Sequence, residues 1–181
     1  VEHTRWLDDD EQRTWRAFLA ATRLVLDRVE RQMTQDSGIP QTYYELLVRL
    51  SEAPDRTLRM SALADTALSS RSRLSHAVAR LEEAGWVRRN ACLTDRRGAF
   101  AQLTDEGMAA LEAAAPGHVE TVRAAVFDPL TAAQQAALRD VAETLVAALA
   151  DGSHPLGVGA PPDSCTGPTT SADTGTEPAH T

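Results

Sequence analysis

The stretch SSRSRLSHAVARLEEAGWVRRNACLTDRRGAFAQLTDEG, residues 69–107, decides the fold. Its first part predicts a helix from about Ser70 to Ala84, closed by Gly85, a residue suited to the position just past a helix end. At 100° per residue, Leu74, Ala77, Val78 and Leu81 fall on one side. Ser69, Ser72, Arg73, His76 and Arg80 fall together on the opposite side. Such a helix buries one face and offers hydroxyls, guanidinium groups and an imidazole on the other. Trp86-Val87-Arg88-Arg89 then reads as a strand, Thr94-Asp95-Arg96-Arg97-Gly98 as a turn, and Ala99 to Leu103 as a returning strand. Together they make a β-hairpin with a basic tip. Thr104 caps a further helix, with Asp105 and Glu106 in its first turn, where the helix dipole favours acids.

Upstream, a long helix begins near Asp8, where Asp8, Asp9, Asp10 and Glu11 place negative charge at its start. Its apolar stripe runs Trp15, Phe18, Thr22, Val25, Val29, Met33, and Gly38 and Pro40 end it. A second helix spans Gln41 to Glu52, anchored by Tyr44, Leu47, Val48 and Leu50 and broken at Ala53-Pro54-Asp55. A short helix follows over Met60 to Thr66, with Leu63 and Ala64 inward. Downstream of Thr104 the stripe continues through Met108, Leu111, Val119, Val122 and Val126, with a kink expected at Pro116-Gly117. Thr131-Ala132-Ala133-Gln134 matches a capping box, and the last helix carries Leu138, Val141, Leu145 and Leu149. Residues 152–181 are rich in Gly, Pro, Ser and Thr, lack aromatics, and are expected to be disordered.

The order is helix, short helix, turn, polar-faced helix, basic hairpin. The expected fold is mainly α: a winged helix-turn-helix, with a three-helix core plus a β-hairpin wing. The first and last helices carry apolar stripes that the rest of the chain is too short to cover, which calls for a second copy. The chain divides into an N-terminal dimerisation helix (1–39), a winged helix-turn-helix domain (40–104), C-terminal dimerisation helices (105–151) and the tail (152–181).

Charge is distributed to match. The whole chain has a formal net charge of −8, which alone argues against a phosphate-binding protein. Between Arg56 and Arg97, however, nine arginines face four acids (Asp65, Glu82, Glu83 and Asp95), so that segment carries +5 and the remainder −13. A basic module inside an acidic protein is the footprint of local DNA binding, although a solvated helical face has the same charge pattern. Every basic residue counted is arginine, which suits bidentate contacts to guanine and phosphate, but biased codon usage accounts for it more simply.

The ordered series Leu63-Ala64, Ser69-Ser70, Leu81-Glu82-Glu83-Ala84-Gly85-Trp86-Val87, Arg89, Asp95-Arg96-Arg97-Gly98 and Leu103-Thr104-Asp105-Glu106-Gly107 resembles the MarR family over about residues 40–107. The resemblance implies a homodimeric, sequence-specific, double-stranded-DNA-binding transcriptional regulator, more often a repressor. Helices from both chain ends interlock, and two recognition helices meet pseudopalindromic half-sites ~10 bp apart. It places the recognition helix at Ser69 to Arg80. Ser70, Ser72, Arg73 and His76 would touch bases or phosphate. Arg80 would touch phosphate or else pair with Glu82 or Glu83 on its own helix. In the wing, Asp95 would orient Arg97, and Arg96 would meet phosphate. Arg97→Ala is expected to weaken DNA binding at least tenfold (~1.4 kcal/mol); unchanged affinity at physiological salt would overturn that assignment. The resemblance also implies release by a small aromatic or anionic effector. Its candidate lining is Trp15, Phe18, Tyr43 and Tyr44, residues that packing at helical spacing explains more simply as core.

Other classes find less support. No Cys/His set has zinc spacing, no glycine-rich phosphate loop occurs, and Ser72 with His76 lacks a matching acid, so no enzyme, metal or cofactor is expected. No apolar run approaches membrane-spanning length and the N-terminus lacks a basic-then-apolar signal, so a cytoplasmic protein with no membrane partner is expected. Cys92 lies among arginines that would favour its thiolate, but an inert thiol is the simpler expectation. The competing function is a winged-helix adaptor or anti-repressor whose main partner is protein. That role favours exposed aromatics and methionine on the helix carrying Arg73 and His76, and none occur there.

Overall fold

The computed structural model describes residues 4–66, 71–91 and 99–149. Helix α1 (Asp9–Asp36) opens on Asp8, whose carboxylate accepts the N–H groups of Asp10 and Glu11 at 2.9 and 2.8 Å. The Glu11 carboxylate in turn accepts the Asp8 N–H at 3.0 Å, closing a capping box that satisfies the helix's orphan donors. Gly38, at φ +68°, turns the chain out of α1 where a Cβ would be strained. Pro40 then leads into α2 (Gln41–Glu52), which buries Tyr44, Leu46, Leu47 and Leu50. A 3-10 turn (Pro54–Arg56), strand β1 (Thr57–Arg59), α3 (Met60–Thr66), α4 (Arg71–Glu83), β2 (Val87–Ala91) and β3 (Ala99–Leu103) complete the central module. Helix α5 (Asp105–Val122), a π-helical turn (Arg123–Phe127) and α6 (Ala132–Leu149) follow.

The sheet is antiparallel in the order β1-β3-β2, with Thr57 opposite Gln102 and Val87 opposite Leu103. Period-2 alternation sends Ala101, Leu103 and Val87 into the core. There they join Leu63, Ala64, Leu74, Ala77, Val78 and Leu81, the inward positions expected of the two module helices. Val29 and Met33 of α1 and Leu111 and Ala114 of α5 close the core from the other side.

Two expectations change. The hairpin gains a third strand, β1, because Thr57–Arg59 lies along the free edge of β3 and satisfies its backbone groups. Strand β2 runs from Val87 to Ala91 rather than from Trp86 to Arg89, since Trp86 belongs to the turn that ends α4. Helix α5 runs through Pro116, the position of the expected kink. Pro116 faces solvent and Gly117 lies against Gln32 of α1, where a Cβ would come within 2.8 Å of the Gln32 amide nitrogen. Packing on α1 holds the helix across the missing N–H.

The outer helices remain uncovered in the single chain. Trp15 and Phe18 on α1, Val119 on α5, Phe127 in the π turn, and Leu138, Val141, Leu145 and Leu149 on α6 are all exposed. No α6 residue is buried, although the Thr131–Gln134 capping box forms as expected, with reciprocal bonds of 2.9 and 3.3 Å.

Where α5 crosses α2, the His118 imidazole lies 4.5 Å from the Tyr44 ring, centroid to centroid. Its Nδ1 is buried without a hydrogen-bond partner. Burial holds the imidazole below its ordinary value of 6.5, with Glu45 pulling the other way. The unfolded chain therefore binds the proton first as pH falls. Stability from this site is present above pH 6.5, declines as pH drops below it, and levels off once the folded site also protonates. His118→Gln should flatten the decline in denaturation midpoint between about pH 7.5 and 5.5; a decline parallel to the parent protein's would show that other groups carry it.

Candidate nucleic-acid interface

Helix α4 presents Ser72, Arg73, His76 and Arg80 to solvent, opposite its buried face. Ser75 is exposed beside them, and with Ser72, His76, Arg80, Glu83 and Arg89 it lines an open groove between α4 and β2. Ser75 and Arg89 were absent from the expected site. The helical wheel puts Ser75 at the rim of the polar face. Arg89 shares its side of β2 with buried Val87, which turns it toward α4. Ser69, Ser70, Asp95, Arg96 and Arg97 lie outside the described residues.

The two groove arginines are held differently. The Arg80 guanidinium donates to Glu83 at 2.8 Å, an i,i+3 pair with side chains 59% and 64% exposed. The hydrogen bond and charge of Glu83 raise the guanidinium's pKa further. Arg89 is tied to Glu82 twice: its backbone N–H donates to Oε1 at 2.9 Å and its Nε donates to Oε2. Those side chains are only 34% and 30% exposed, so the pair fastens the first hairpin strand to α4.

The end of α4 explains the rest of this corner. Gly85, at φ +77°, donates to the Glu82 carbonyl at 2.9 Å, and Trp86 donates to the Leu81 carbonyl at 2.9 Å, the two bonds of a Schellman turn. Thr104 then joins three elements. Its N–H donates to the Trp86 carbonyl at 3.0 Å, its hydroxyl donates to the Gly85 carbonyl at 2.8 Å, and the same Oγ1 accepts the Gly107 N–H at 3.0 Å. Helix, hairpin and α5 therefore meet at one hydrogen-bonded corner.

The outer face of the sheet is polar. Arg59 lies over the Phe100 ring at 5.5 Å, and Asn90 donates to Gln102 at 3.2 Å. Arg88 projects from the same face.

The four expected effector-lining residues separate. Trp15 and Phe18 stack with centroids 6.1 Å apart and are 51% and 48% exposed. Tyr44 is buried in the central core and Tyr43 packs against it. Phe18 lies about three turns, roughly 16 Å along α1, before the first buried residue of that helix, Val29. A single chain does not gather the four. Among the described residues, no group of three His, Cys, Asp or Glu could hold a metal ion, and no helix is long and apolar enough to cross a membrane.

Residues 37–98 match the model of the MarR family. Sco3205 of Streptomyces coelicolor, a MarR family transcriptional regulator solved in complex with DNA, is 49% identical, with a TM-score of 0.80 over 86% of this chain and 98% of that one. AbsC, a MarR family transcriptional regulator of the same organism, is 40% identical, with a TM-score of 0.76 over 81% of this chain and 98% of that one. The HTH-type transcriptional regulator PecS of Dickeya dadantii is 29% identical over 123 residues, 67% of this chain and 73% of the relative.

Proposed function

The chain belongs to the MarR family, and from that premise we propose that it is a sequence-specific DNA-binding transcriptional repressor acting as a homodimer on a pseudopalindromic site. The observation that carries the proposal is the solvent-facing row Ser72, Arg73, His76 on α4, mounted beside a sheet that carries Arg88 and Arg89. A helix of this diameter enters the major groove, where hydroxyl, imidazole and guanidinium groups reach base edges. Strands β2 and β3 stand where they can follow the phosphate backbone, and on the family resemblance we assign duplex contact to Arg96 and Arg97 and the support of Arg97 to Asp95, all three outside the described residues. Ser69 and Ser70 precede α4 in the sequence, next to the helix end that faces the bases in helix-turn-helix proteins, and the same reading assigns them to DNA contact.

The second copy is supported by the uncovered apolar residues of α1, α5 and α6. The crystallised relative with DNA bound, at 49% identity, supports duplex DNA as the partner. An aromatic or anionic effector draws its support from the family alone, because one chain does not bring Trp15, Phe18, Tyr43 and Tyr44 together.

The test is a selection of duplexes from a random pool by the full-length chain, followed by titration of the recovered duplex and a scrambled control across a salt series. Tight binding of the recovered duplex, at least a thousandfold above the control (~4 kcal/mol) and weakening steeply with salt, is expected. Equal weak binding to both would favour the adaptor alternative.

A further inference from the structure

We propose that Glu83 is a specificity-determining residue that acts as an electrostatic brake on the DNA-binding groove. The inference rests on the DNA reading above. Both groove arginines face a carboxylate of α4: Arg89 faces Glu82 and Arg80 faces Glu83. The C-terminal half of the recognition face is therefore charge-balanced in the free protein, inside the most basic segment of the chain.

The two carboxylates have different work. Glu82 is two-thirds buried, holds a backbone N–H as well as the guanidinium, and connects helix to strand. Releasing it would unfasten the hairpin, so that pair stays closed on DNA. Glu83 holds Arg80 through a single contact, within one helix, in open solvent. An i,i+3 pair in open solvent is screened by water and contributes little to stability. Nothing structural is lost when it opens. Arg80 can exchange Glu83 for a backbone phosphate at small cost, but Glu83 then remains on the rim of the groove as an unpaired anion facing the duplex.

The consequence is selective. Phosphate contacts supply essentially all of non-specific binding and are sequence-blind, whereas base contacts by Ser72, Arg73 and His76 are available only on a matching site. An anion at the groove weakens the sequence-blind part, so the protein depends on base contacts to hold DNA. Glu83 thus stands against scrambled DNA more than it favours the correct site.

The experiment compares Glu83→Gln with the parent full-length chain on the duplex recovered by selection and on its scrambled control, from low to physiological salt. Glu120→Gln, on exposed α5 and outside the groove, makes the same change in net charge. Glu83→Gln should tighten binding to the scrambled duplex by about three- to tenfold at low salt and to the selected duplex by less, so that the ratio of the two affinities falls. The plot of log affinity against log salt should steepen by up to ~0.9, because one anion no longer offsets the cations at the phosphates. Adding Arg80→Ala to Glu83→Gln should erase both gains. An unchanged slope, weaker binding, equal tightening on the two duplexes, or an equal effect from Glu120→Gln overturns the inference while leaving the DNA reading intact. Absence of binding by the parent chain to any duplex of the pool overturns the DNA reading and this inference with it.

Discussion

Gly107→Ala should destabilise the protein by about 3 kcal/mol, lowering Tm by about 10 °C. A Cβ there would sit 2.7 Å from Leu103 Cδ1 and 2.9 Å from the Trp86 carbonyl carbon, and would run into the Trp86 carbonyl oxygen itself. The obstacle is backbone, and that backbone is pinned. The Trp86 carbonyl accepts the Thr104 N–H, and the Trp86 N–H is committed to the Leu81 carbonyl at the end of α4. Moving Trp86 aside would open the Schellman turn and shift the hairpin relative to the recognition helix. Position 107 is also the third residue of α5, where Glu or Gln would ordinarily complete a capping box with Thr104. The sequence forgoes that bond because the close approach leaves room only for hydrogen. Thr104→Ala, which removes the cap but adds no bulk, should cost ~1 kcal/mol. Denaturant titration of the two variants is decisive: a Gly107→Ala midpoint no lower than that of Thr104→Ala would mean the corner is pliable.

The same corner shows what the sequence does and does not disclose. Helix α4, with Leu74, Ala77, Val78 and Leu81 inward, was legible because a 3.6-residue period needs only local spacing. The returning strand Ala99–Leu103 and the caps at Asp8, Thr104 and Thr131 were legible for the same reason: each involves residues within a few positions of one another. Strand β1 was not, because three residues carry no alternation and their strand character comes from pairing with β3, more than forty positions on. The role of Arg89 was hidden likewise, since its partner Glu82 lies across a turn of chain direction. Of the candidate site, the polar face of α4 was readable as a stripe. Which of its arginines would be held by an acid was left as an alternative for Arg80, and geometry selects the pair with Glu83.

The second large effect concerns the uncovered helices. If the proposed dimer is seated on α6, the parent protein should have twice its 19.5 kDa chain mass, and Val141→Asp combined with Leu145→Asp should yield a single chain and weaken DNA binding at least a hundredfold. Both side chains are exposed in the single chain and lie one turn apart on α6, in line with Leu138 and Leu149. A helix with no buried residue gains little from its own chain and must be held by something else. Each Leu or Val that a second copy covers contributes ~1.5–3 kcal/mol, and a twofold interface uses every such residue twice. A carboxylate placed in that seam would be buried without a partner, which the dimer does not tolerate. The loss on DNA follows from linkage: two modules on one dimer find the second half-site at high effective concentration, and two separate chains do not. Light scattering and duplex titration on the same sample separate the outcomes. A monomer that keeps its affinity would place recognition in one chain alone, while a variant that retains the dimer mass would move the interface off α6 and onto the exposed half of α1.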